Sequence, residues 1–205
     1  MHGLVINSDF KDYYDEYCDS NSNVVYNRFY SNSMQRGTAL NKLRGLGLKT
    51  LDVKQVSSYF SGDGYIVVYT NPKLHNGCGK RIMTVNEALQ SYGNCLASPY
   101  IFNNGLTVKY MQIGKRRFNL YFQKGGALSL DIGTLIKIEE LPSDYNRLIG
   151  IPIFSIDYIS DGTYMIATDF NEVENLSMLG LNNYIGPHEV ISEIIETMHV
   201  YNKVL

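Results

Sequence analysis

Strand-like segments joined by tight, glycine-containing turns are the feature that most constrains how this chain can fold. IPIFSIDYI and TYMIATDFN flank Ser160-Asp161-Gly162, and two longer segments turn at Gly114-Lys115. A third pair, YIVVYT and RIMTV, is separated by a loop that contains Asn76-Gly77. Runs rich in β-branched and aromatic residues between such turns are typical of hairpins. A strand-rich domain is therefore expected rather than a helical bundle.

A smaller number of segments have helical patterning. TALNKLRGLGL, starting at Thr38, places leucines near helical spacing and predicts a helix of about ten residues. VKQVSSYF at 53–60 predicts a second short helix, VNEALQSYGN a third that is capped from Thr84 or Asn86, and DYNRLIG at 144–150 the end of a fourth. PHEVISEIIETMHVYNKV predicts a final amphipathic helix. Helices and hairpins together predict a mixed α/β or an α+β fold.

Charge and composition narrow the function classes. The 205 residues are 44% apolar, which excludes a disordered or collagen-like chain. Eighteen basic and twenty acidic residues give a net charge of −2, so nucleic acid is not an expected partner. A membrane partner is not expected either, since the sequence has no long apolar span. The three cysteines are odd in number and widely spaced, which favours a reducing compartment. Because no signal peptide or long apolar span is visible, a cytoplasmic protein is expected.

Oxygen ligands in the last hairpin predict a metal site. Asp157 lies within the first strand, and Asp169 and Asn171 lie two residues apart on the second. Residues two apart on a strand share a face, so antiparallel pairing can bring all three side chains together. Two carboxylates and an amide suit Mg²⁺, which commonly takes its remaining ligands from nucleotide phosphates. The alternative is that these residues end their strands and face water.

A glycine-rich tip with nearby lysines predicts an anion site. Asn76-Gly77-Cys78-Gly79-Lys80 lets backbone N–H groups approach an anion, and Lys80 adds a charge. The tip lacks the spacing of a P-loop. A plain hairpin with solvated charges is the alternative for the tip and for the other lysines considered, which are Lys42, Lys73 and Lys109.

Four of these segments, in this order, resemble the ATP-grasp superfamily, which includes D-alanine–D-alanine ligase and the ribosomal-protein glutamate ligases. NKLRGLGLKTLD resembles the lysine-bearing helix of the family, and YIVVYTNPKLHNGCGKRIMTVNEAL resembles the strand, glycine-rich lid and helix over the triphosphate. SPYIFNNGLTVKYMQIG is similar to the adenine hinge and the strand beyond it. IFSIDYISDGTYMIATDFNEVENL is similar to the two metal-bearing strands.

The resemblance implies an ATP-grasp-like α+β fold in which two lobes with antiparallel sheets clasp a nucleotide cleft. It divides the chain into a reduced N-terminal preamble at 1–37, a small lobe with the lid at 38–98 and a large lobe with the metal-binding strands at 99–205. It further implies ATP and Mg²⁺ as cofactors. In the family, ATP phosphorylates a carboxylate, and an amine then displaces the phosphate.

Carried over by residue, the resemblance assigns Asp157, Asp169 and Asn171 to the metal and a second set to the nucleotide. The second set comprises the lid glycines Gly77 and Gly79, the hinge Pro99, Tyr100 and Ile101, and Lys42 of the first helix. Three further lysines complete the predicted nucleotide set: Lys80 and Lys109, which are candidates from their own positions, and Lys73, which is a candidate to replace the family's strand lysine.

Several positions depart from the family pattern. Tyr69 lies in the strand where the family presents a phosphate-contacting lysine, Ser155 replaces an arginine, Asp169 replaces a glutamate, and Glu174-Asn175 replaces a Pro-Gly pair. Two hypotheses follow. One is an ATP- and Mg²⁺-dependent ligase that joins a carboxylate to an amine on a peptide or protein. The other is a catalytically degenerate relative that serves as a nucleotide-binding or structural module in an assembly, and the Tyr- and Asn-rich composition suggests a phage or viral one.

Overall fold

The computed structural model describes residues 36–71, 79–126, 129–130, 133–142, 153–171, 181 and 184–186, together with positions 188, 189, 192, 193 and 196. The rest of the preamble, most of the glycine-rich tip, the segment 144–150 and Glu174-Asn175 lie outside the described residues. The described positions of the final predicted helix are helical.

Two antiparallel sheets and two helices of defined bounds make up most of the described fold, beside the helical positions of the final segment. In chain order the elements are α1 (Arg36–Gly45), β1 (Lys54–Gln55), a 3₁₀ turn (Val56–Ser58), β2 (Tyr65–Tyr69), β3 (Lys80–Thr84), α2 (Val85–Ser91), β4 (Leu96–Pro99), β5 (Leu106–Ile113), β6 (Arg116–Gln123), β7 (Thr134–Glu140), β8 (Ile153–Ser160) and β9 (Met165–Asn171). The predicted α+β class is confirmed. No described helix has both the length and the apolar character needed to cross a bilayer.

The first sheet has four strands in the order β1-β4-β2-β3. Its buried side chains pack against α2, which begins with a capping box: Thr84 accepts from the Glu87 N–H, and the Glu87 side chain accepts from the Thr84 N–H. Thr84, one of the two predicted caps, is therefore the cap that forms. The helix predicted over 53–60 is wrong except for one 3₁₀ turn, because Lys54 and Gln55 pair with β4 instead.

The second sheet has five strands in the order β7-β6-β5-β8-β9. The hairpin predicted at Gly114-Lys115 forms as expected, with Ile113 opposite Arg116 and Gly114 at φ 57°. The edge strand β7 was not predicted from the sequence. Its half-exposed TLIKIEE segment pairs with β6 across an irregular register.

The two faces of the five-stranded sheet differ in character. One face packs against α1, where Leu40 and Leu43 contact a buried cluster of Tyr110, Phe154, Ile156 and Ala167. Because side chains alternate along a strand, Lys109, Ser155 and Asp157 project from the opposite face. Helix α1 therefore packs on the sheet of the predicted large lobe and begins two residues before the predicted boundary; the division at 37 and 98 stays a prediction.

Candidate functional site

The register of β8 and β9 brings the predicted metal ligands onto one face. Asp157 lies directly opposite Asp169, and Ser155 lies directly opposite Asn171. A register shift follows Asp157 and leaves Thr168 as the extra residue on β9. The predicted pairing of the two acids across the hairpin is confirmed, whereas their metal-binding role stays a prediction.

Lys109 completes this row of polar residues from the next strand. In the register of β5 and β8 it lies opposite Asp157, and its Nζ is 2.6 Å from Asp157 Oδ1. The same Nζ donates a hydrogen bond to Ser155 Oγ at 3.3 Å. The side chain of Lys109 is only 12% exposed against 36% for that of Asp157, so the pair is partly withdrawn from water. Lys109 thus places a positive charge beside Ser155.

Arg36 holds the second acid from the first turn of α1. Its Nη2 lies 2.7 Å from Asp169 Oδ2, and its Nη1 donates to the Thr168 carbonyl at 2.8 Å. The guanidinium carbon also lies 4.9 Å from the centroid of the Tyr69 ring on β2. Arg36 therefore contacts both sheets. It places a positive charge beside Tyr69, which is itself uncharged.

Lys80 lies in the four-stranded sheet opposite Tyr69, and the charges of both acids act on its pKa. Burial is the main cause that lowers the pKa of Lys80, and the charges of Arg36 and Lys124 act in the same direction. Asp169 and Asp157 oppose this shift by raising the pKa of Lys80. The cations and the two acids thus act on one another across the space between the sheets.

A buried hydroxyl pair lies beneath Arg36. Tyr69 Oη and Ser98 Oγ are 3.0 Å apart, and both side chains are buried. Burial raises the pKa of Tyr69, while Arg36 and the hydrogen bond with Ser98 lower it. Tyr69 therefore lies in the first sheet as a neutral, hydrogen-bonded wall of the site.

The predicted hinge follows directly from β4. Pro99 is exposed and Ile101 is half-buried, while the Tyr100 N–H donates to the Tyr65 carbonyl at 3.0 Å. The Phe102 ring meets the Tyr100 ring edge to face at 4.8 Å and the Tyr65 ring at 5.8 Å. Burial raises the pKa of Tyr100. The hinge is thus a short aromatic segment attached to β2.

The remaining predicted residues are placed less centrally. Lys42 lies on α1 with an exposed side chain. Gly79, at φ 73°, precedes β3, and its carbonyl accepts from the Asn71 N–H at 3.1 Å. Lys73 and Gly77 lie outside the described residues. Of the nucleotide set, Lys80 and Lys109 are therefore the cations that the described structure brings to the acids.

Sequence reasoning missed Arg36 and Lys124. Arg36 lies in the first described turn of α1, which contains no acidic residue. The absence of a local acidic partner was a usable signal for a distant one. Lys124 directly follows β6, and its Nζ donates to the Ser129 carbonyl at 3.4 Å. Nothing in its sequence context indicated a place near Lys80.

The donor chemistry of the site fits a hard divalent cation. Asp157 and Asp169 offer carboxylate oxygens on one face, and Asn171 lies on that face two residues beyond Asp169. Among the described residues, no group of three or more His, Cys, Asp and Glu side chains could hold a metal. A cation at the two acids would therefore take further oxygens from an amide, a phosphate or water, which is the pattern that Mg²⁺ prefers.

Comparison with known proteins identifies the fold. No family model matches the sequence and no curated protein matches it, but solved structures do. One similar structure is a RiPP-associated ATP-grasp ligase from Chryseobacterium gregarium in complex with ADP and a leader and core peptide. It has a TM-score of 0.60 at 10% sequence identity, and the match covers 96% of this chain and 71% of the ligase. The ATP-grasp ligase PsnB, complexed with a minimal precursor, has a TM-score of 0.57 at 12% identity, covering 87% of this chain and 65% of its own.

D-alanine–D-alanine ligase from Bacillus anthracis, complexed with ATP, has a TM-score of 0.53 at 13% identity. It covers 83% of this chain, and this chain spans 66% of its length. The chain therefore has the ATP-grasp fold, and the predicted resemblance is confirmed at the level of the fold. It spans about two thirds of the length of these ligases.

Proposed function

We propose that this protein is an ATP- and Mg²⁺-dependent ligase that joins a carboxylate to an amine on a peptide or protein. The observation that carries the proposal is the pairing of Asp157 with Asp169 on one face of the second sheet, with Lys109, Arg36 and Lys80 around them. Cations beside two carboxylates suit a polyphosphate bound together with a divalent cation. The ATP-grasp fold provides the frame for this arrangement.

In the proposed reaction the terminal phosphoryl group of ATP passes to a substrate carboxylate, and ADP leaves. The amine then attacks the acyl carbon of the acyl phosphate and expels inorganic phosphate. Bound Mg²⁺ would screen the phosphate charge, with Asp157, Asp169 and Asn171 as its protein ligands. Lys109 and Lys80 would stabilise the negative charge that develops on the transferred group. Closely apposed sheets would keep water from the acyl phosphate.

A peptide or protein substrate is supported by the ligands of two proteins that share the fold. The Chryseobacterium gregarium ligase was solved with a leader and core peptide, and PsnB was solved with a minimal precursor. Both have TM-scores above that of the D-alanine–D-alanine ligase. At 10% and 12% identity the substrate itself remains part of the proposal.

Nucleotide-dependent stabilisation tests the proposal. With Mg²⁺ and ATP at one hundred times the dissociation constant, the free energy of unfolding should rise by about 2.7 kcal/mol. Asp157→Asn should lose this gain, because the metal loses a carboxylate ligand. Glu140→Gln is the matched control, since Glu140 pairs with Arg116 on the same sheet away from the acids. Full stabilisation of Asp157→Asn would contradict the proposed site.

A second candidate is a catalytically degenerate relative that binds nucleotide as part of an assembly. Tyr69 favours it, because this buried, neutral side chain occupies a position that is cationic in the family. Release of phosphate from ATP in the presence of candidate peptides separates the two functions. Nucleotide-dependent stabilisation without phosphate release would support the degenerate relative.

A further inference from the structure

Arg36 spans the two sheets at a point where the proposed metal site begins. The Arg36 side chain is only 21% exposed, and its guanidinium makes two contacts on β9, one with the Asp169 carboxylate at 2.7 Å and one with the Thr168 carbonyl at 2.8 Å. The guanidinium carbon lies over the Tyr69 ring on β2, 4.9 Å from the ring centroid. The contacts on β9 and the contact on β2 use different parts of one planar group, so the guanidinium can leave β9 and still lie over the Tyr69 ring.

The ion pair holds the acid in one orientation. Asp169 Oδ2 faces Arg36, while Asp169 Oδ1 accepts from the Phe170 N–H at 3.1 Å. Both oxygens are therefore engaged, and the Asp169 side chain is only 22% exposed. A cation that approached Asp169 would meet the positive charge of Arg36 at the same oxygen.

Arg36 has little other compensation for its position. The first described turn of α1 contains no acidic residue that could pair with it. The Coulomb effect of Arg36 on Lys80 is also repulsive, since it lowers the pKa of that lysine. Among the described residues, Asp169 forms the ion pair that offsets these costs.

We propose that Arg36 is a positioning residue that occupies Asp169 when no metal is bound and releases it when a divalent cation binds. This inference rests on the proposed function, because it takes Asp169 as a metal ligand. Released from β9, the guanidinium keeps its contact with the Tyr69 ring on β2. Occupancy of the metal site is thereby linked to the connection between the two sheets, through one side chain of α1.

Binding of Mn²⁺ alone to the full chain, without nucleotide, tests this proposal. Free Mn²⁺ can be quantified by its EPR signal. Arg36→Gln removes the competing charge and should bind Mn²⁺ about fivefold more tightly than the wild type, which corresponds to about 1 kcal/mol. Arg36→Lys retains a charge near Asp169 but not the planar group, so its affinity should lie between the two.

Arg44→Gln is the matched control, because Arg44 is an exposed arginine of the same helix that contacts Asn41, Thr50 and Leu51. Its Mn²⁺ affinity should equal that of the wild type. Equal or weaker binding by Arg36→Gln would overturn the inference while leaving the nucleotide test intact. Unchanged Mn²⁺ binding by Asp169→Asn would overturn the premise that Asp169 is a metal ligand. Absence of Mn²⁺ binding by both the wild type and Arg36→Gln would overturn the same premise. ATP-dependent stabilisation tests the proposed function separately.

Discussion

Lys109 and Asp157 face each other across two central strands of the second sheet, with Lys109 Nζ 2.6 Å from Asp157 Oδ1. Strand register fixes this pair, since β5 and β8 are hydrogen-bonded neighbours. Lys109 is much less exposed than its partner, at 12% against 36%. Loss of the carboxylate would therefore remove the negative charge beside a largely desolvated ammonium group, which destabilises the folded protein.

A double-mutant cycle should detect this coupling. Asp157→Asn is expected to lower the free energy of unfolding by about 1 kcal/mol, and the coupling energy with Lys109→Met should also be about 1 kcal/mol. Urea unfolding of the four proteins measures both values. The Arg116 and Glu140 pair on the same sheet, whose carboxylate is 46% exposed, should give a coupling of about 0.5 kcal/mol. Equal couplings for the two pairs would contradict the argument from burial.

Lys80 is expected to lower the free energy of unfolding and to strengthen ATP binding. Burial and neighbouring cations disfavour its charge in the folded protein. Lys80→Met is thus expected to raise the free energy of unfolding by about 1 kcal/mol at neutral pH. The same substitution should weaken ATP binding, because it removes a cation from the proposed phosphate site. Thermal unfolding with and without nucleotide measures both effects, and a destabilised Lys80→Met protein would contradict the first.

The pH dependence of that gain has a defined sign. The folded-state pKa of Lys80 lies below its ordinary value of 10.5, so the unfolded chain binds more protons between those two values. Wild-type stability therefore gains a favourable contribution as the pH rises through this window. The advantage of Lys80→Met should shrink as the pH approaches 10.5. An advantage that stays constant would show that the charge of Lys80 is not its cause.

The sequence was most informative where local patterns and pairing agree. The turns at Gly114-Lys115 and Ser160-Asp161-Gly162 join strands that are adjacent in the sheet, so turn chemistry predicted the pairing. Strand β4 was harder to identify, since its sequence, LASP, has little strand propensity. It forms a strand because it pairs with β1 on one side and β2 on the other. Strand β7 lies at the edge of the sheet and pairs on one side only. Its polar and apolar residues therefore do not alternate regularly along the sequence.

The same distinction between local patterns and long-range packing applies to the residues of the site. Asp157 and Asp169 are joined by a short hairpin, so spacing alone predicted that they would meet. Arg36 and Thr168 are 132 positions apart, and their contact depends on how α1 packs against β9. Local patterns carry no information on such a distance. The lack of an acidic residue in the first described turn of α1 indicated only that a partner of Arg36 had to lie elsewhere.

The turn between β5 and β6 should tolerate no side chain. Gly114 has φ 57°, and an added Cβ would lie 2.5 Å from the backbone oxygen of Glu193. Gly114→Ala is therefore expected to cost about 3 kcal/mol, from left-handed strain together with a backbone clash. Gly162, at φ 93°, has nothing within 4 Å of such a Cβ, and Gly162→Ala should cost about 1 kcal/mol from strain alone. Chemical denaturation compares them, and equal losses would argue against the contact with Glu193.

Helix α1 should depend on its buried leucines to keep Arg36 in place. Leu40 is 1% exposed and packs in the cluster formed with the second sheet, so Leu40→Ala is expected to cost about 3 kcal/mol. Leu46, just beyond the helix, is 52% exposed, and Leu46→Ala should change stability by less than about 0.5 kcal/mol. Urea unfolding measures both changes. Because Arg36 lies one turn before Leu40 on the same helix, hydrogen exchange at β9 should rise in Leu40→Ala and not in Leu46→Ala. Unchanged exchange in Leu40→Ala would show that α1 does not hold the Arg36 contact on β9.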